Sequence, residues 1–336
     1  MPQAPTARRI AFDVLSIFRS RPPLLLAAAV WFAACGGGGG GAGTRFSDVL
    51  LLAREDGIVE LDLANLDERL LIPNPANSFL FEAAVSPDGQ QIAYAQRANE
   101  PVAPGGTSDL GLDAYVADRD GSNPRLVRQH RSRNELVRSP AWLPGGDALI
   151  VSVETSVDGK ASSKIERVEL ATGTSTVLLQ DGLLPALSED GRLMVFTRRD
   201  ANFIETLWLA NADGSDLRPL VGPAQELGSF SSPRFSPDGS VIVFGGAEPS
   251  FPQASRAPSR NGIPMDLWEI SVTGDGLRRL ADMELDLPSL AWSGDGARLF
   301  VLDTIGLFVL DPAAGAPERL TEGAFHAQLD WASAGE

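Results

Sequence analysis

The 336-residue sequence is poor in several residue types that carry chemistry: one cysteine, Cys35, two histidines, His130 and His326, and two lysines, Lys160 and Lys164. A lone cysteine forms no internal disulfide. Two histidines far apart in the chain do not supply a histidine-built metal site, which takes several converging ligands. Neither the Gly-x-Ser-x-Gly elbow of a serine hydrolase nor an EF-hand loop is present. After residue 45 there is also no long amphipathic helical pattern.

Turn formers are abundant instead. Gly 34 and Pro 24, with 43% hydrophobic residues, point to many short strands around a sizeable core, and so to an all-β body. The net charge is −16, and residues 1–34 hold Arg8, Arg9, Arg19 and Arg21 against Asp13. The remainder therefore has 24 basic and 43 acidic residues, a balance of −19. Such a surface repels phosphate backbones and argues against a nucleic-acid partner. It suits an exported protein that must stay soluble, or one that meets a cationic partner or divalent cations.

The four N-terminal arginines precede an apolar run, Leu24 to Ala34, of signal-peptide length. The run is shorter than the roughly 20 residues that span a bilayer. It ends in Phe32-Ala33-Ala34-Cys35, and small residues before a cysteine resemble the bacterial lipobox, with Phe32 where leucine is usual. The resemblance implies that Cys35 is lipidated and becomes the new N-terminus; an ordinary signal peptide beside a free thiol is the alternative. Gly36 to Gly41 follow, then Ala42 and Gly43. About ten residues of such chain span on the order of 18 Å, enough to hold a domain just off a membrane. The expected division is a leader over 1–34, a lipidated tether over 35–45 and one folded domain over 46–336.

That domain is repetitive. Five segments recur: Ala84-Val85-Ser86-Pro87-Asp88-Gly89, Ala141-Trp142-Leu143-Pro144-Gly145-Gly146, Ala186-Leu187-Ser188-Glu189-Asp190-Gly191, Arg234-Phe235-Ser236-Pro237-Asp238-Gly239 and Ala291-Trp292-Ser293-Gly294-Asp295-Gly296. A truncated sixth, Asp330-Trp331-Ala332-Ser333, closes the series, at intervals of 39 to 57 residues. Ser-Pro-Asp-Gly is a tight turn: proline presets φ, Asp caps locally and Gly takes a positive φ. Each full copy leads into an apolar run such as Val241-Ile242-Val243-Phe244, then a strand such as Leu267-Trp268-Glu269-Ile270, then a short one such as Arg278-Arg279-Leu280. The unit is four antiparallel strands, A to D from the centre outward, with B apolar throughout as a strand covered on both faces must be.

This pattern resembles the TolB-like propeller repeat family, related in architecture to the WD repeat, and Phe235 through Gly239 matches its hallmark best. The resemblance runs over residues 46–333 and implies a β-propeller. Residues 49–72 read as strands B, C and D without an A, and residues near Gln328 to Trp331 as an A alone. Joined, they complete a six-bladed ring closed by N-terminal strands plus a C-terminal strand. The fold implies little about function, because propellers host binders, scaffolds and enzymes.

No catalytic constellation or cofactor motif emerges, and the Ser-x-Asp-Gly turns read as structural. The B–C connections Asn99 to Leu112 and Glu248 to Met265 are long, and in a propeller they share a face with the D–A stretch Arg128 to Arg138. Arg128, Arg131, Arg133 and Arg138, with Glu100 and Asp109 in one insertion and Arg256 and Arg260 in the other, form the candidate binding face. The leading expectation is a monomeric, non-catalytic, lipid-anchored scaffold of the cell envelope that binds a protein or glycan. A carbohydrate- or lactone-active enzyme, using carboxylates and a metal at the channel mouth, is the alternative. A purely structural envelope component is a third.

Overall fold

The computed structural model describes residues 48–97, 111–157, 160–249, 264–322 and 328–333. The expected leader, Cys35 and the glycine tether lie outside the described residues, as do Glu100, Asp109, Arg256 and Arg260.

The described chain is all-β. Strands β1–β3 (Asp48–Arg54, Gly57–Asp62, Glu68–Pro73) open it. Then come β4–β7 (Leu80–Val85, Gln91–Arg97, Leu112–Asp118, Arg125–Arg128) and β8–β11 (Glu135–Trp142, Ala148–Val157, Lys160–Glu169, Ser175–Gln180). These are two antiparallel meanders joined by a single parallel bridge between Leu112 and Leu136. Separate four-stranded sheets follow: β12–β15 (Leu183–Leu187, Leu193–Arg199, Glu205–Asn211, Arg218–Val221), β16–β19 (Ser229–Phe235, Val241–Ala247, Pro264–Ser271, Arg278–Asp286) and β20–β23 (Ser289–Trp292, Leu299–Asp303, Gly306–Leu310, Pro317–Glu322). Last, β24 (Gln328–Ser333) pairs antiparallel with β1 and completes the N-terminal sheet in the order β24-β1-β2-β3.

Local chemistry sets the A–B turns. In the first, the Ser86 hydroxyl donates to Asp88 Oδ1 at 2.6 Å and accepts the Gln91 N–H at 2.9 Å, while the Gly89 N–H donates to the Ser86 carbonyl at 2.8 Å. The serine–aspartate bond recurs at Ser188–Asp190, Ser236–Asp238 and Ser293–Asp295, at 2.7, 2.5 and 2.6 Å. Hydrogen bonds from these serines, before any other influence, hold the four aspartyl carboxyls below their ordinary range. The turn at Leu143 to Gly146 has neither side chain and closes through the backbone alone, Gly146 N–H to Leu143 O at 2.9 Å.

Burial explains the B strands. Ile242, Val243 and Phe244 are each 0% exposed, yet Ile242 and Phe244 pack into one apolar cluster and Val243 into another. Alternate residues thus serve the two faces of one sheet. Six such clusters lie among the described residues, each combining side chains from two consecutive four-stranded sets. One of them joins β20–β22 to β1, β2 and β24. Each fully buried Leu, Ile or Phe contributes about 1.5–3 kcal/mol.

The D strands form the outer edges, and their first residues are often arginines. Arg125 donates to Leu170 O at 3.0 Å, Arg218 to Thr273 O at 3.4 Å and Arg278 to Pro312 O at 3.2 Å. Each bond reaches the next sheet along, a use of the guanidinium fork that a lysine would not reproduce.

The A strands carry a feature that simple alternation does not predict. Register shifts interrupt β4, β8, β12 and β16, and Glu82, Ser139, Leu184 and Ser232 there have φ of 56°, 52°, 49° and 44°. These are β-bulges. Proline follows in three of them, Pro140, Pro185 and Pro233, where the bulge leaves no ladder bond for an N–H to make.

Two glycine substitutions test how tightly the sheets are built. Gly57 (φ 138°) sits where a Cβ would overlap the Ile72 carbonyl, whereas Gly239 (φ 69°) has nothing within 4 Å. Gly57→Ala is expected to cost about 3 kcal/mol or more in denaturant unfolding. Gly239→Ala should cost only the left-handed backbone penalty, about 1–2 kcal/mol. Equal costs would contradict this packing.

Candidate functional site

The four arginines expected to form one open basic patch are placed differently. Arg128 is the last residue of β7 and Arg138 lies inside β8, so both belong to strands and residues 129–134 form the connection between them. Arg128 is buried: its Nε donates to Glu166 at 2.9 Å and its Nη2 to Glu135 at 2.8 Å. Lys164 contacts the same Glu166 carboxylate at 2.7 Å. A guanidinium taken out of water is satisfied by carboxylates rather than offered to a ligand. Arg138 pairs with Glu82 at 2.6 Å and lies 3.8 Å from Glu154. Arg131 is exposed and donates to Ser175 Oγ at 3.0 Å, and Arg133 is also exposed. Two of the four thus face solvent while the other two brace the sheets.

Carboxylates at the same end of the sheets are also committed. Asp113 accepts the His130 backbone N–H at 2.6 Å and faces His130 Nδ1 at 2.7 Å. Glu205 accepts the Phe230 N–H at 2.9 Å, Asp266 the Met283 N–H at 3.0 Å, and Asp303 the Asp286 N–H at 2.9 Å. Each of these acids, from strand B or C, accepts a backbone N–H at a D-to-A junction: His130 follows β7, Phe230 lies at the start of β16, and Met283 and Asp286 lie in the last part of β19. Sequence reading passed over these acids; the available signal was an acidic residue inside an otherwise apolar strand, which burial obliges to find donors. Among the described residues, no group of three or more His, Cys, Asp or Glu side chains is arranged to hold a metal ion.

A second convergence involves the A strands. Glu82 accepts the Ser139 N–H, Ser232 Oγ the Leu290 N–H at 2.9 Å, Ser289 Oγ the Leu329 N–H at 2.9 Å, and Asp330 Oδ2 the Val85 N–H at 2.8 Å. Each bond runs from one A strand to the next, with the last returning to the first. The Trp142 indole N–H adds a bond to Ala84 O at 3.0 Å. Arg234 belongs to the same layer but, among the described residues, its side chain donates only to the carbonyl of its neighbour Pro233, at 3.1 Å.

The sequence matches no family model and no curated protein. Solved structures resemble the fold. TolB from Acinetobacter baumannii superposes with a TM-score of 0.62 at 13% identity, over 86% of this chain and 67% of that one. A chain of the nidogen/laminin complex gives 0.63 at 12%, over 85% and 99%. An oligogalacturonate lyase in complex with manganese gives 0.54 at 18%, over 82% and 74%. The chain has a TolB-like propeller fold.

In this propeller the four-stranded sets are blades, and the A strands face inward. The carboxylate–arginine brace at Arg128 lies on the face of the B–C and D–A connections. Burial alone would raise the Glu166 carboxyl, but hydrogen bonds from Arg128 and Lys164 outweigh it and bring it from 4.5 to about 2. A folded-state pKa below the unfolded value adds stability that is complete above about pH 4.5 and disappears as pH falls through about 2. Glu166→Gln should cost about 3–5 kcal/mol near neutral pH, because Arg128 is left buried with Glu135 alone. Its stability should also fall less steeply than wild type between pH 4.5 and 2 in chemical denaturation. Parallel acid limbs for the two proteins would refute the assignment.

Proposed function

We propose that this chain is an exported, lipid-anchored component of the cell envelope, and that its propeller is a non-catalytic scaffold binding a protein or glycan. The binding surface is the face that carries the B–C and D–A connections. The observation that carries this reading is that Asp113, Glu205, Asp266 and Asp303 fix the backbone where D strands hand over to A strands, at His130, at Phe230 in β16, and at Met283 and Asp286 in β19. Carboxylates that hold loops in place build a defined surface on a rigid frame, which suits recognition. The competing enzyme reading asks the same acids to meet a metal or a sugar.

The ring is read as six blades. Six apolar clusters for six four-stranded sets support closure, since an open row of six sheets has only five junctions. The A-to-A hydrogen bonds returning from Asp330 to Val85 support it as well. Removing residues 328–336 should expose the β1 edge and the cluster around Leu50 and Phe300, and abolish cooperative unfolding by calorimetry. A truncated chain that unfolds like the full one would end the closed-ring reading.

Attachment rests on Cys35 and the glycines after it. Cys35→Ser should move the protein from the membrane to the soluble fraction, and persistent membrane association would rule out the lipid anchor. Capture of partners by the tethered full chain, with elemental analysis alongside, separates the functional readings. A reproducible protein or glycan without stoichiometric metal supports the scaffold. Tightly held metal and no partner supports the enzyme.

A further inference from the structure

One position of the repeat stands apart. The residue just before the last residue of the A-strand motif is Ala84, Ala141, Ala186 and Ala291 in four blades, but Arg234 and Asp330 in the other two. The four alanines each pack into the apolar cluster between their own blade and the next. Space there suits a methyl group. Asp330 has an evident task, since it accepts the Val85 N–H and stitches the closing strand to β4. Arg234 has no comparable one.

Its placement follows from its neighbours. Phe235 turns into the cluster toward β12–β15, so by strand alternation Arg234 lies on the opposite face, toward β20–β23. A side chain too long for an alanine's niche has to run inward. Consistent with this, Arg234 is partly accessible to solvent, while burial, the largest influence, lowers its pKa and attraction from Asp330 and Glu82 opposes that shift. Those two acids stand on β24 and β4, neither of which is adjacent to β16 around the ring, so the guanidinium is directed toward the space that the A strands enclose.

The two acids are already occupied at close range. Glu82 is paired with Arg138 and accepts the Ser139 N–H, and Asp330 accepts the Val85 N–H. Arg234 makes no ion pair with a described residue and keeps most of its donors. We propose that Arg234 anchors a binding site for a small monocarboxylate in the lumen enclosed by the A strands. A planar carboxylate matches the guanidinium fork in a bidentate way. The nearby acids limit the guest to a single negative charge, so a phosphate dianion is disfavoured. The site rests on the ring reading but not on the envelope or partner assignments.

The test is thermal unfolding of the full chain at constant ionic strength, with chloride exchanged for acetate or for phosphate, in wild type, Arg234→Ala and Arg234→Gln. Acetate should raise the wild-type midpoint by a few degrees, phosphate should not, and neither variant should respond. In chloride, Arg234→Ala restores the alanine of the other blades and should unfold at or above the wild-type temperature. Several outcomes would overturn the site: no acetate response, an equal response in wild type and variants, or a response to phosphate as large as to acetate. A variant that is markedly destabilised in chloride, or fails to fold, would make Arg234 a structural brace to Glu82 and Asp330 and also overturn it. Ring closure is read separately by the 328–336 truncation, which leaves Arg234 untouched, so a failed site and a failed ring give different results.

Discussion

A four-stranded sheet whose two faces are both apolar cannot exist alone in water. Ile242 and Phe244 on one side of β17 and Val243 on the other need separate partners, and each partner sheet has the same need. The rest of the architecture follows from that demand. Sheets stack face to face, each cluster is shared by two of them, and the row has no natural end. Pairing β24 with β1 gives the last sheet and the first a common cluster. The sheet of β1 thereby contributes to two clusters, one with β20–β22 and one with β4–β6.

Sharing faces also constrains the centre. The A strands carry alanine at one repeat position in four blades, packed between neighbouring sheets, and hydrogen bonds that run strand to strand. The bulges at Glu82, Ser139, Leu184 and Ser232 lie in the same strands. They turn the chain out of simple alternation, and at Glu82 and Ser232 the bulged residue itself accepts the neighbouring N–H. Outer strands face the problem of open edges. Arg125, Arg218 and Arg278 tie three of these edges to a carbonyl of the following set of strands.

Much of this was legible in the sequence because it is local. Ser-x-Asp-Gly turns close within six residues, and a run such as Val241 to Phe244 announces a strand with no wet face. The N- and C-terminal strands could be matched because each was missing what the other supplied. The bulges were visible as Pro140, Pro185 and Pro233 but not interpretable without the register of the partner strand. The arginine cluster misled because proximity in sequence is not proximity in use. Arg128 finds Glu166 across 38 residues, and Arg138 finds Glu82 across 56. Nothing local distinguishes a guanidinium bound for a buried carboxylate from one bound for solvent.

The pairing of β1 with β24 has a consequence for the order of events during synthesis. The first strand to emerge is the one whose partner emerges last, so β1 waits with an open edge and a half-covered cluster until almost the whole domain is out. Loop-closure entropy for so long a separation grows only logarithmically, so the wait is costly in time rather than in final stability. Blades in the middle of the chain can assemble from contiguous segments in the meantime, each templating the next. The final strand then adds the missing edge of the N-terminal sheet. Damage confined to the last few residues would strike the N-terminal sheet and the cluster it shares with β20–β22, although it removes only one strand.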